Sequence, residues 1–253
     1  MRVREILTCV VGVLALAGVC PAGVITPTAP VGTVRADNAT YPVEFELDTE
    51  SGLWGFNFFQ ETAGYRISFT GMVDPDPSIG YGLAVTDFGA PSSFGFTIAS
   101  PIVAVPAPTE VVASIDGGLN DVTGNGISIT PTLADADGDG FAELQIASAG
   151  LPLENSGADV GLAASFGPGP AGAQYVYGPY ATPIQAGPVN GPYTTLQLDV
   201  GFMLSGSGDI AALTGFTAIA EDGGIVPEPS TWVLGICGLA ALGAAKLRRR
   251  HKN

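Results

Sequence analysis

Short runs of alternating apolar and polar residues, cut every few positions by glycine or proline, constrain this chain more than any other feature. Val43-Glu44-Phe45-Glu46-Leu47-Asp48 sets the pattern: apolar side chains recur with period two and acidic ones fill the other face. The same reading predicts strands over Leu53–Phe59, Tyr65–Met72, Tyr81–Thr86, Phe94–Ala99 and Glu110–Ile115. It predicts further strands over Gly126–Thr130, Glu143–Ala147, Val160–Phe166, Tyr193–Leu204 and Ala211–Ala220. Between them stand breakers such as Asp74-Pro75-Asp76-Pro77, Gly117-Gly118, Gly167-Pro168-Gly169-Pro170 and Gly187-Pro188. No segment between Asp37 and Ile225 carries ten or more residues of helical period with capping signals, so the expectation is an all-β chain. Many short strands at this spacing fit an antiparallel β-sandwich or jelly-roll-like domain. The 36 glycines and 20 prolines approach a disorder-like composition, but regularly spaced Val, Ile, Leu and Phe supply a core. The stretch from Gly167 to Pro192 reads as a long exposed loop or a weak divider between two sheet layers, and one domain is the simpler reading.

Charge narrows the partners. Between Asp37 and Ile225 lie 22 of the 24 acidic residues and one basic residue, Arg66, for a formal charge of −21 against −15 for the whole chain. Such a surface repels phosphate backbones, so nucleic acid is not an expected partner, whereas divalent cations are attracted. The same segment contains no His, Cys or Lys. Cys9, Cys20 and Cys237 all lie outside it, which removes a disulfide framework. Nucleophilic arrangements that need His or Lys are excluded, as are zinc sites built on His or Cys. The remaining chemistry is confined to carboxylates, hydroxyls, Tyr and Arg66, and the expectation is that the protein is not an enzyme.

The two ends read as export and sorting elements. Arg2 and Arg4 precede an uncharged run from Ile6 to Val19, the layout of a secretory signal peptide within residues 1–36, with cleavage after Ala22 or after Ala36. That run is short for a bilayer span. At the other end, residues 226–253 read Val-Pro-Glu-Pro-Ser-Thr-Trp, then an uncharged apolar segment from Thr231 to Ala245, then Lys246, Arg248, Arg249 and Arg250. Prolines exclude the Pro227-Glu228-Pro229 element from a helix interior. The apolar segment is read as a C-terminal transmembrane helix, stopped by the positive cluster on the cytoplasmic side. Its 15 residues are short for a full span, and snorkelling Lys246 and Arg248 extend its reach.

This tail resembles the PEP-CTERM sorting signal of exported bacterial proteins. The resemblance covers about the last tenth of the chain. It implies that Pro227, Glu228 and Pro229 are read by a membrane-embedded exosortase, with Glu228 a substrate feature rather than a catalytic residue. It also implies transient anchoring in the inner membrane and delivery to the cell surface or extracellular matrix. Such proteins are associated with bacteria that make extracellular polysaccharide. A structural or interaction role in the envelope or biofilm is therefore expected of residues 37–225. A carbohydrate-binding module is the alternative, and a carboxylate-only hydrolase a third reading, which needs two acids facing each other about 5 to 10 Å apart across a cleft.

One internal motif carries recognisable chemistry. Asp135-Ala-Asp137-Gly-Asp139-Gly140-Phe141-Ala-Glu143 has the spacing of a calcium loop: alternate carboxylates followed by a glycine turn wrap oxygens around the ion. Asp135, Asp137 and Asp139 would supply side-chain oxygens, Phe141 its carbonyl, and Glu143 a direct or water-mediated ligand. Ile146 stands where an EF-hand needs a bidentate Glu, so the loop is a structural calcium brace or else an acidic solvated turn. Glu44, Glu46, Asp48 and Glu50 share one strand face and are expected to form a solvated edge. Trp54, Phe56 and Phe58 share a parity and are expected in the core. Tyr175, Tyr177 and Tyr180 are expected to be exposed, and are the candidates for carbohydrate contact.

Overall fold

The computed structural model of the protein describes residues 28–105, 109–135, 138–150, 158–181, 185–186 and 193–221. Residues 1–27, where the signal peptide is expected, Asp137 of the acidic loop, and residues 226–253, where the sorting tail is expected, lie outside the described residues.

The expected alternation becomes two antiparallel sheets, consistent with a β-sandwich. The first sheet contains β1 (Val31–Ala36), β2 (Ala39–Pro42), β7 (Ser92–Val105), β9 (Ile127–Pro131), β10 (Gln145–Ala149), β11 (Ala158–Val160), β12 (Ala164–Phe166) and β15 (Tyr193–Leu204). The second contains β3 (Phe45–Leu47), β4 (Trp54–Glu61), β5 (Tyr65–Asp74), β6 (Ser78–Asp87), β8 (Thr109–Asp121), β13 (Ala173–Ala181), β14 (Gln185–Ala186) and β16 (Asp209–Glu221). In the first sheet the neighbours run β11-β10-β15-β7-β1-β2, and β9 pairs with β15 and β12. In the second they run β13-β8-β16-β6-β5-β4-β3, with β14 on β8.

Side-chain parity decides what fills the interior. Tyr65, Ile67, Phe69 and Val73 of β5, Ile79, Tyr81, Leu83 and Val85 of β6, and Ala211 and Leu213 of β16 point inward and are buried. Phe94, Phe96 and Ile98 of β7 and Leu196, Leu198, Val200 and Phe202 of β15 answer them from the other layer. One ring contact bridges the layers, Phe69 meeting Phe96 at 5.0 Å, and each partner rests on a ring of its own sheet: Phe56 meets Phe69 at 4.9 Å and Phe202 stacks on Phe96 at 6.2 Å. Each such pair adds about 0.5–1.5 kcal/mol beyond its buried area. A polar bolt crosses the same core: the Tyr81 hydroxyl donates to Gln145 Oε1 at 2.7 Å, and Gln145 Nε2 donates to the Phe216 carbonyl at 3.1 Å. Both ends of the fully buried amide are thus satisfied.

Three expectations change against this architecture. The first sheet begins upstream of Asp37, because β1 pairs with both β7 and β2 and buries Val34 and Ala36 completely while Arg35 faces outward. Val34-Arg35-Ala36, one of the two expected cleavage patterns, lies within β1. Gly117-Gly118 does not break β8, which runs on to Asp121. A Cβ at Gly117 would collide with the Ala212 carbonyl, so the absent side chain lets the β16 backbone close in. The stretch from Gly167 to Pro192 holds β13, an edge strand whose Tyr175 and Tyr177 alternate with exposed Gln174 and Val176.

The sheet edges are blunted in the way exposed strands require. β3 has three residues, with exposed Glu46 at its centre and exposed Glu44 and Asp48 on either side, and β2 has four and ends at Pro42.

Candidate functional site

Most described aspartates do a local job: they accept hydrogen bonds from the backbone amides of turns. Asp48 Oδ1 accepts from Glu50 N at 2.9 Å and its Oδ2 from the Ser51 hydroxyl at 2.6 Å, which together hold its carboxyl below the usual range. Asp74 accepts from Asp76 N, and Asp37, in the β1–β2 turn, accepts from Ser93 N of β7. Glu44, Glu46, Asp48 and Glu50 form the expected exposed edge along β3 and its turn. Arg66 forks onto Glu61, with Nη2–Oε1 at 2.9 Å and Nε–Oε2 at 3.1 Å.

The proposed calcium loop connects β9 to β10. Its base closes on a single residue of β15: Thr132 N donates to the Gly201 carbonyl at 3.1 Å, and Gly201 N donates to the Leu144 carbonyl at 2.8 Å. Above that clamp, Asp135 Oδ1 accepts from Gly138 N at 2.7 Å and Oδ2 from Gly140 N at 2.9 Å, while Asp139 Oδ1 accepts from Phe141 N at 2.8 Å. Gly138 and Gly140 hold φ of 84° and 95°, a conformation that favours glycine. Asp135, Asp139 and Phe141 are exposed, and Glu143 is half-buried toward Tyr177. Among the described residues no group of three or more His, Cys, Asp or Glu is placed to hold a metal.

A second acidic constellation escaped the sequence reading. Asp87, Asp121 and Asp209 are each fully buried. They occupy the last inward position of β6 and β8 and the first of β16, where the chain crosses between the sheets. Each braces its own crossing arch. Asp87 Oδ2 accepts from Ser92 N at 2.8 Å, and its Oδ1 accepts the Ser92 hydroxyl at 3.2 Å. Asp121 accepts from Gly124 N at 2.6 Å and from Gly126 N at 2.8 Å. Asp209 Oδ2 accepts the Ser205 hydroxyl at 2.6 Å. The arches also bind one another: Ser207 N donates to Gly89 O at 2.7 Å, and Ser205 N to Ser128 O at 3.1 Å. A usable signal was present, since Ile79, Tyr81, Leu83, Val85 and Asp87 form one period-two series whose last member is acidic and precedes a Gly/Pro turn.

Burial raises Asp87 above the ordinary carboxylate value, Ser92 and Gly89 oppose the shift, and Asp37 adds to it. Burial likewise raises Asp209, Ser205 opposes, Asp121 and Asp87 add to it, and the Val122 amide opposes. Being fully shielded, the three carboxylates offer no open cleft to a substrate.

The aromatic expectations divide. Phe56 is buried, and Trp54 and Phe58 pack against the core as their parity requires. Tyr177 is buried and donates its hydroxyl to the Leu162 carbonyl at 2.8 Å. Tyr175 stacks on Phe166 at 4.2 Å, and Tyr180 packs on Tyr177 at 5.1 Å. The three tyrosines therefore belong to the packed interior and its margin, not to an exposed platform. Inward parity on β13 decides this, because the neighbouring outward position, Val176, is the exposed one at 79%. Elsewhere on the second sheet Phe59, Met72 and Phe216 are exposed apolar groups. Met72 and Phe216 border a shallow groove of about 410 Å³ with Leu53, Thr70, Gly80 and Gly82.

Known protein families, curated proteins and solved structures give no match to this chain.

Proposed function

We propose that the chain is an exported, non-catalytic protein of the bacterial cell surface or extracellular matrix, sorted through its C-terminal tail by an exosortase. The observation that carries this reading is the order of Pro227-Glu228-Pro229, the apolar segment from Thr231 to Ala245, and the basic residues Lys246, Arg248, Arg249 and Arg250. The position of the last strand supports it. β16 is held by β6 over Asp209–Ala218 and by β8 over Ile210–Glu221, so both flanks are occupied up to the last three residues, which pair with β8 alone shortly before the tail. A tether leaving a doubly paired strand loads the hydrogen bonds of both neighbours, whereas a tether leaving an edge strand loads one set. That placement suits a domain held or transferred by its C-terminus. Signal cleavage after Ala22, rather than Ala36, leaves β1 in the mature domain.

In this reading the Asp135–Glu143 loop takes a structural calcium ion. Each carboxylate oxygen of Asp135 that accepts an amide keeps a second lone pair for a cation, and the left-handed glycines supply the tight turn such loops need. Extracellular polysaccharide is the proposed environment. If glycan binding is specific, the groove beside Met72 and Phe216 is the surface to test, since the tyrosines of β13 are packed away.

The test is the intact mass and cell fraction of the protein in its native host. A species ending near Pro229 outside the inner membrane is expected. A full-length chain retained in the inner membrane would remove the exosortase reading.

A further inference from the structure

Asp87, Asp121 and Asp209 are not scattered along the sandwich. Asp209 of β16 lies directly opposite Asp87 of β6. The pairing of Ile210 with Asn120 puts Asp209 beside Asp121 of β8 on its other flank. Tyr65 of β5 extends the row, opposite Asp87. Directly opposed residues on neighbouring antiparallel strands stand about 4.5–5.5 Å apart at Cα, and residues in one row point to one face of the sheet. Three buried carboxyl groups are thus stacked side by side, with Asp209 in the middle.

Among the described residues no counter-charge faces them. The groups facing the row from the packed elements are Ser92 of β7, Ser205 of the β15–β16 arch, the Tyr65 phenol with its Tyr41 partner at 2.9 Å, and Asp37 of the β1–β2 turn, another acid. Arg35 projects from the outer face of the first sheet. Arg66 is held outside by Glu61, its guanidinium 5.7 Å above the Phe88 ring. Asp87 and Asp121 each engage both oxygens with arch donors, but Asp209 Oδ1 is buried without a hydrogen-bond partner. A bare carboxylate oxygen between two other carboxylates is the arrangement that a proton relieves, because like charges in one enclosed site do not all ionise together.

We propose that the Asp87–Asp209–Asp121 row is a proton-binding site, with Asp209 as the acceptor, and that it tightens the arched end of the sandwich as the surroundings turn mildly acidic. The direction follows from linkage. Between the ordinary carboxylate value and its raised folded value, the folded chain holds a proton on Asp209 that the unfolded chain releases. The stabilisation is therefore complete at low pH, below the ordinary carboxylate value, and fades as pH rises through the raised folded value. Ordinary acid denaturation runs the other way. Proton uptake at Asp209 leaves in place the amide bonds that Asp87 and Asp121 accept from their arches, so the middle residue changes state while the braces hold.

The experiment is urea unfolding of the full-length chain in non-ionic detergent between pH 7.5 and 5, read by tryptophan fluorescence. The midpoint is expected to rise as pH falls. Asp209→Asn is expected to lie above the unaltered chain at pH 7.5 and to lose at least half of the rise, while the exposed Glu46→Gln keeps all of it. A flat or falling midpoint in the unaltered chain overturns the proposal, as does an Asp209→Asn slope equal to that of Glu46→Gln. Should Asp209→Asn fail to fold, NMR of the side-chain carboxyl carbons in the unaltered chain decides. Asp209 titrating at higher pH than the exposed aspartates supports the site, and titration with or below them overturns it.

Discussion

Two loops of this protein share one backbone device and differ in everything around it. Asp121-Val-Thr-Gly124-Asn-Gly126 and Asp135-Ala-Asp137-Gly138-Asp139-Gly140 both place an aspartate three and five residues before a glycine. In both, the carboxylate accepts from those two glycine amides, at 2.6 and 2.8 Å in the first and 2.7 and 2.9 Å in the second. The glycine φ angles match as well, 81° and 98° against 84° and 95°. The first loop is an arch between the sheets with its aspartate fully buried, and the second stands in solvent. The first carries Thr123 and Asn125 where the second carries Asp137 and Asp139. Folding the turn therefore takes one aspartate and two glycines. The exposed loop carries two carboxylates beyond that minimum: Asp139, which accepts the Phe141 amide, and Asp137, and these are the residues at which the proposed cation can be tested.

The largest contrast should come from removing the shared acceptor. Asp121→Ala leaves two part-buried amides without their charged partner, at a cost of about 3–5 kcal/mol. Asp135→Ala exposes its amides to water, which replaces the bond, so the loss should stay within about 1 kcal/mol. Urea midpoints of the two variants measure the difference, and equal losses would show that burial is not what separates the loops.

A smaller contrast follows from the first glycine of each loop. A Cβ at Gly124 would stand 2.6 Å from the Gly169 carbonyl oxygen and 2.9 Å from Ala171 N, while a Cβ at Gly138 meets nothing within 4 Å. Both alanines suffer the left-handed backbone, about 1–2 kcal/mol. Gly124→Ala adds a collision with backbone that has little room to retreat, for a total of about 3 kcal/mol. Thermal melts that rank Gly138→Ala as the worse substitution would break the comparison.

The two loops also mark what the sequence makes legible. Period-two alternation located a strand within each expected run, because parity is a local property: Phe94, Phe96 and Ile98 need only their own spacing to declare an inward face. The Asp135 motif was visible for the same reason, its acids being close in sequence. The Asp87–Asp209–Asp121 row was not, since its members meet only through strand pairings that join residues far apart in the chain. β13 was passed over because its prolines and glycines outweighed a short Tyr-x-Tyr alternation, and an edge strand tolerates such residues where a central one does not. β1 was not expected as a strand because its small alternating residues read equally as one of the two candidate cleavage sites, after Ala36.

The finest test of the comparison is calcium itself. If Asp137 and Asp139 serve a cation, stability should respond at the exposed loop and be indifferent to the buried one. An extracellular calcium module binds with a dissociation constant of about 10⁻⁴–10⁻³ M. About 3 mM calcium would then add about 1–2 kcal/mol. For a domain of this size that is a rise of about 2–8 °C in Tm. Asp139→Asn should abolish most of the rise with little change in the calcium-free Tm, because its amide bond to Phe141 N is exposed and an Asn oxygen accepts it equally. Asn125→Asp, which gives the buried-type loop one more acid, should gain no calcium response, since its position three remains Thr123. A melting temperature indifferent to calcium and to chelator would reduce both loops to the same backbone turn. The acids at positions 137 and 139 would then be surface charge alone.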